Sequence, residues 1–173
     1  AAVGHDSELK GANKVVEHWR PGMPVVVQVT RLGAGHKGPR VTARPTLPGR
    51  NVVLCPDGEG VYVSRKLAGQ ARAYVKAVGA TVVPGDCALI MRTEAAGVSK
   101  EVLEMDIRSL ADDWDTVRER ARAAVEAAGL QGRSPFPRRL LDAATVEQIL
   151  VRDLFGERVA RLTIDSMSSY EAI

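Results

Sequence analysis

The sequence predicts an α+β chain in which a small mixed sheet is packed by helices, one of them long and amphipathic. Three observations carry that expectation. Short β-branched runs bounded by Gly, Pro, Asn or Asp recur through the first half of the chain. One apolar stripe, Leu103, Ile107, Leu110, Trp114, Val117, Ala121 and Val125, advances in steps of three and four, the period of a single helix face. Between them, strand-like and helix-like segments follow one another without internal repeat or low-complexity sequence, as expected of a few strands packed by a helix.

In chain order, "MPVVVQVTRL" predicts a strand at Met23 to Leu32, "GAGHKGP" a turn, and "RVTA" the returning strand of a hairpin whose tip carries His36 and Lys37. The texture changes after Arg44: "RPTLPGRN" holds two prolines and a glycine, with Pro48 and Gly49 suited to the centre of a type II turn, and a domain boundary is expected there. Next come the strand "NVVLCP", the turn "DGEG", the short strand "VYVS", a helix near Leu67 to Val78, the turn "VPGD" and the strand "CALIMR". Ser99 is placed to cap the long helix, and Gly129 to stop it. "LQGRSPFPRR" reads as a linker, followed by a helix around Thr145 to Phe155, a strand "RVARLTID", and the start of another helix in "SMSSYEAI".

Composition limits the function classes. At 173 residues, 45% hydrophobic and 26% charged, the chain has the make-up of a soluble globular protein. No apolar run approaches the ~20 residues of a membrane-spanning helix, and the amino end lacks the basic-then-apolar order of a secretion signal, which favours the cytoplasm. The chain begins without Met and ends as a helix starts, so a piece of a longer protein is expected. Cys55 and Cys87 each lie inside an apolar run and read as buried thiols rather than a disulfide. With the three scattered histidines they make no metal-ligand spacing. The net charge of +3 conceals a pattern: Arg20, Arg31, Lys37, Arg40, Arg44 and Arg50 occupy a stretch with no acid, whereas residues 101–120 hold seven acids against three arginines. A basic stretch that excludes acids suits a polyanion, because each neutralised phosphate releases counterions; it also suits a merely solvated basic loop.

Gly33, Gly35 and Gly38 match G-x-G-x-x-G after a strand, with Asp57 further on, but a dinucleotide fold needs a crossover helix beginning at those glycines. Only 13 residues separate Gly38 from Val52, three of them proline, and no such helix fits. No G-x-S-x-G occurs and neither cysteine has a histidine nearby. Asp165 reads either as a metal carboxylate or as a helix cap. Arg92 and Thr93, where an apolar run meets the surface, stand out. A planar guanidinium that grips oxygens in pairs beside a hydroxyl makes a compact phosphate site, and an arginine in a structural salt bridge at a strand end fits the same local sequence equally well.

The order of "VVVQVTRLGAGHKGPRVTARPTLPGRNVVLCP", "GVYVSRK", "ALIMRTEAAG", the Trp-containing helix and "VRDLFGERVARLTIDS" resembles bacterial and plastid ribonuclease E/G over nearly nine tenths of the chain. The resemblance implies part of an OB-type RNA-binding barrel with a basic hairpin in residues 1–44, a 5′-sensor-like domain in 45–138, and part of an RNase H-like segment in 139–173. It implies that Arg92 and Thr93 hold the 5′-monophosphate of a single-stranded RNA, with Gly49, Val53 and Arg65 lining the same pocket. Lys37 matches a basic residue on the RNA-facing barrel, and Arg40 beside it is expected to share its contact with the RNA backbone. The family's magnesium-binding aspartates and zinc-binding cysteines fall outside the matched motifs, so no catalytic or metal residue is assigned here, and binding without cutting is expected of these 173 residues. Magnesium and self-association are implied for the full-length enzyme only. Localisation is then cytoplasmic or, in a photosynthetic eukaryote, stromal. A non-catalytic RNA-binding or scaffold module derived from the family, with the acidic helix face toward a protein partner, is the alternative.

Overall fold

The computed structural model describes residues 23–130, 137–155, 159–171 and 173. Two sheets form. The first is an antiparallel ribbon of β1 (Gln28–Arg31) and β2 (Arg40–Thr42), with a bulge between Val29 and Arg31. The expected strand over Met23 to Leu32 shortens to the residues that meet β2, because an extended segment becomes a strand only where a neighbour satisfies its N–H and C=O groups. At the tip, Ala34 and Lys37 exchange backbone bonds of 3.1 Å. The glycine-rich stretch is therefore a hairpin turn, with no helix following it.

The second sheet runs in the order β3 (Leu47–Pro48), β4 (Val52–Pro56), β6 (Cys87–Met91), β5 (Gly60–Val63). β4 is antiparallel to both β3 and β6, and β5 is parallel to β6, which requires a crossover supplied by α1 (Gly69–Val82). Pro48 lies in edge strand β3, paired with Val53, not at the centre of the turn as expected; Gly49 donates to the Val52 carbonyl at 2.8 Å, so the chain reverses at Arg50 and Asn51. Pairing Leu47 with Leu54 buries both, and that burial moves the turn.

Alternation sorts the sheet's two faces. Val52 and Leu54 of β4, and Cys87, Leu89 and Met91 of β6, are buried beneath α1 and α2 (Lys100–Leu130). Gly79 of α1 allows that approach, since a Cβ there would stand 2.8 Å from Val61 and 3.2 Å from the Met91 sulfur. Val53, Cys55 and Ile90 are only partly buried, and Tyr62 is exposed. The register aligns Pro48, Val53, Ile90 and Tyr62 as one row across the four strands.

Ser99 caps α2 as expected: its hydroxyl oxygen accepts from the Val102 N–H at 3.4 Å. Leu103, Ile107, Leu110, Trp114 and Val117 are buried. Ala121 is half-buried and Val125 is 43% exposed, so the stripe leaves the core before it ends. A helix of 31 residues is about 46 Å long, whereas four strands span about 15–20 Å, and the last turns outrun the sheet. Gly129 lies inside the helix, which runs on to Leu130; much of the expected linker lies outside the described residues.

Thr145 opens α3 (Val146–Leu154) with a capping box: its hydroxyl accepts from the Gln148 N–H at 3.3 Å, and its own N–H donates to the Gln148 side chain at 3.0 Å. α4 (Met167–Glu171) follows. The expected strand "RVARLTID" does not form in residues 159–165, where no neighbouring strand pairs with it. Asp165 is exposed and is not the cap; Ser166 is, its hydroxyl accepting from the Ser169 N–H at 3.3 Å, because a cap oxygen must reach an N–H two or three residues on. Both cysteines are free thiols. Burial raises the Cys55 thiol, and burial followed by the Asp86 carboxylate pushes the Cys87 thiol up to about 11.

Candidate functional site

β6 delivers Arg92 and Thr93 to the sheet's end. The Arg92 N–H extends the ladder by donating to the Asn51 carbonyl at 2.8 Å, and Thr93 opens a single turn of 3-10 helix over Thr93–Ala95. The Thr93 and Ser64 hydroxyls lie 3.2 Å apart, Ser64 being the residue that follows β5. Arg65 comes next, exposed. Two parallel strands thus place the two hydroxyls side by side, with Arg92 and Arg65 next to them in the chain.

The Arg92 side chain is 28% exposed. Its Nη1 donates to the Gly49 carbonyl at 2.8 Å and to Asp153 Oδ1 at 3.0 Å, and its Nε lies 3.6 Å from a Glu94 carboxylate oxygen. Both readings of Arg92 therefore have a structural counterpart: it stands beside a hydroxyl at a strand end, and it is ion-paired. Gly49 is packed tightly, since a Cβ there would come within 3.0 Å of the Leu110 side chain and of the Val52 carbonyl. Asn51 pins the same turn to α2, its side-chain amide donating to Asp106 Oδ2 at 2.8 Å. These ties fix the carbonyl that Arg92 uses.

Of the residues singled out from sequence, Arg92, Thr93 and Gly49 come together, Arg65 adjoins them through Ser64, and Val53 lies on the outer sheet face beside Ile90, two residues before Arg92. Lys37 and Arg40 are exposed on the separate ribbon, which the Gln28 amide joins to the backbone of Thr46 by bonds of 2.9 and 3.0 Å.

Sequence reasoning missed Ser64 and, above all, Arg152 and Asp153. Arg152 grips the adjacent Asp153 with Nε and Nη2 at 2.9 and 3.1 Å and donates from Nη1 to the Pro48 carbonyl at 2.9 Å. Arg50 donates back to the Phe155 carbonyl. Hydrogen bonding from Arg152, and then from Arg92, holds the Asp153 carboxyl far below its ordinary value, at about 2. A lowered value means that this ionised contact is fully present above the ordinary carboxylate range, near pH 4, and is lost only as pH falls through about 2. The one sequence signal for it was the "RD" pair at the end of a capped helix.

Among the described residues, no group of three or more His, Cys, Asp or Glu side chains is placed to hold a metal ion, and no helix is long and apolar enough to cross a membrane. A cleft lined by Phe155, Leu162, Ile164, Tyr170 and Ile173 includes none of the residues singled out from sequence.

A model of the Ribonuclease E/G family matches residues 46–173. The chain is 32% identical over 163 residues to Ribonuclease E of Nostoc, covering 94% of this chain and 22% of that protein. It is 34% identical over 157 residues to a chloroplastic Ribonuclease E/G-like protein of Arabidopsis thaliana, covering 89% and 15%. It is 32% identical over 148 residues to Ribonuclease G of Haemophilus influenzae, covering 85% and 28%. The chain thus spans less than a third of the length of these relatives.

Proposed function

The chain belongs to the ribonuclease E/G family, and from that premise we propose that it serves RNA processing and decay as the part that senses a 5′-monophosphate on single-stranded RNA. The observation that carries this reading is the pairing of Arg92 and Thr93 at one sheet end, with the Thr93 hydroxyl beside Ser64 and the Arg92 side chain partly exposed. A phosphate monoester at neutral pH carries about −1.5 to −2 charges and three acceptor oxygens. Arg92 supplies a planar fork of donors and Thr93 a hydroxyl for a further oxygen. Val53, in line with Ile90 and Tyr62, offers an apolar surface next to that anion for the terminal nucleotide, and exposed Arg65 adds positive charge. Holding one end of the RNA orients the rest of the strand, so that binding energy is spent on position. Asp165 is exposed, and among the described residues it stands in no group of three or more His, Cys, Asp or Glu placed to hold a metal ion.

The test is a comparison of one short single-stranded RNA with a 5′-monophosphate or a 5′-hydroxyl, at fixed salt. The monophosphate should bind more tightly, and Thr93→Val, which keeps the shape and removes the hydroxyl, should weaken it by about tenfold, the low end for one hydrogen bond to a charged group, without changing the 5′-hydroxyl RNA. Equal affinity of the unaltered chain for both ends would overturn the reading.

Lys37 and Arg40 are assigned the RNA backbone. Replacing both with Ala should lower the slope of log affinity against log salt by about 0.7 for each lost phosphate contact, alike for both RNA ends. An unchanged slope would place the hairpin off the RNA path.

A further inference from the structure

We propose that Asp153 is an internal anion that holds Arg92 until a 5′-phosphate displaces it, so that RNA-end binding and the docking of the α3 carboxyl end compete for one guanidinium. The inference rests on the phosphate-sensing reading of Arg92.

Three features of the contact carry it. First, the Arg92–Asp153 pair joins residues 61 positions apart, bridging the sheet end and the last turn of α3. Its carboxylate sits 3.0 Å from Nη1, the distance at which a phosphate oxygen would accept from the same nitrogen. Second, α3 has no buried side chain, and Val146, Leu150 and Leu154 are exposed. Its carboxyl end is fastened by charged groups, to the turn at residues 48–50 through Arg152 on the Pro48 carbonyl and Arg50 on the Phe155 carbonyl, and to the sheet end through Asp153 on Arg92. Partly exposed ion pairs hold weakly, unlike α2, which is seated by Leu103, Ile107 and Trp114. Third, Asp153 has a second partner. Arg152 meets both of its oxygens, so losing Arg92 does not leave the carboxylate without a countercharge.

The exchange follows from charge. A phosphate with nearly two negative charges and more acceptor oxygens outcompetes a carboxylate with one at a guanidinium. When it binds, Asp153 stays with Arg152, Arg92 turns to the phosphate, and the tie between α3 and the sheet end is released. A 5′-hydroxyl end carries no such charge and leaves the tie closed. End chemistry is thereby reported to the segment that follows α2.

The test uses the full 173-residue chain and the two RNAs above. Asp153→Asn keeps the shape and removes the competing charge; it should bind 5′-monophosphorylated RNA roughly three- to tenfold more tightly, leave 5′-hydroxyl RNA unchanged, and add nothing in an Arg92→Ala background. Amide hydrogen exchange supplies a readout that general stabilisation would not move: adding 5′-monophosphorylated RNA to the unaltered chain should speed exchange in the last turn of α3, and 5′-hydroxyl RNA should not. Weaker or unchanged binding by Asp153→Asn, with the unaltered chain still preferring the monophosphate, would overturn the competition alone and make Asp153 a support for Arg92 or a bystander. Equal binding of both ends by the unaltered chain would remove the sensing reading and this proposal with it.

Discussion

Arg92→Ala should weaken binding of 5′-monophosphorylated RNA by about ten- to a hundredfold, since a hydrogen bond to a charged group contributes about 1.5–3 kcal/mol, with little change for 5′-hydroxyl RNA. The expected effect is large because one side chain supplies both the charge and the fork geometry. Arg92→Lys separates the two: it retains the charge and loses the planar donors, so its affinity should fall between that of alanine and that of arginine. The fold should survive either change, because the Arg92 side chain is partly exposed and the backbone bond from Arg92 to Asn51 does not involve it. Thermal unfolding of each variant checks that point, and fluorescence anisotropy with the two RNA ends reads the affinities. Equal losses on both RNAs would make Arg92 a structural or nonspecific charge.

Ile107→Ala should cost about 2–5 kcal/mol of stability, the range for truncating a fully buried aliphatic side chain and leaving a cavity. Ile107 is 0% exposed and belongs to the same buried cluster as Leu54, Leu89 and Met91, so neighbours already packed on every side cannot close the gap cheaply. Met105→Ala provides the contrast on the same helix: that side chain is 68% exposed, and its loss should fall within about 0.5 kcal/mol of zero. Urea unfolding followed by circular dichroism measures both. Similar midpoints would show that α2 is not seated by its stripe.

Most elements were legible because their signals are local. Ser99 before a stripe of period 3.6 and β-branched runs between turn residues each specify structure within a few positions. Three expectations failed for one common reason: a partner elsewhere decided them. Leu47 drew Pro48 into an edge strand by pairing with Leu54, Val125 ran past the sheet that buries Leu103, and residues 159–165 have no strand beside them among the described residues. The cap moved from Asp165 to Ser166 because reach, not acidity, selects it.

At the candidate site, the adjacency of Arg92 and Thr93 and their position at the end of an apolar strand were properties of the sequence alone, as was the absence of acids around Lys37 and Arg40; of the two cysteines expected to be buried, Cys87 is and Cys55 is only partly so. Only the tertiary structure brought Ser64 to Thr93 across 29 residues, the Gly49 carbonyl to Arg92 across 43, and Asp153 to the same guanidinium across 61. Periodicity and capping act over one or two helical turns, so they can be read along the chain. The partner of a charged side chain depends on strand order and helix docking, and those are set by how Leu54, Leu89 and Ile107 pack into a common core.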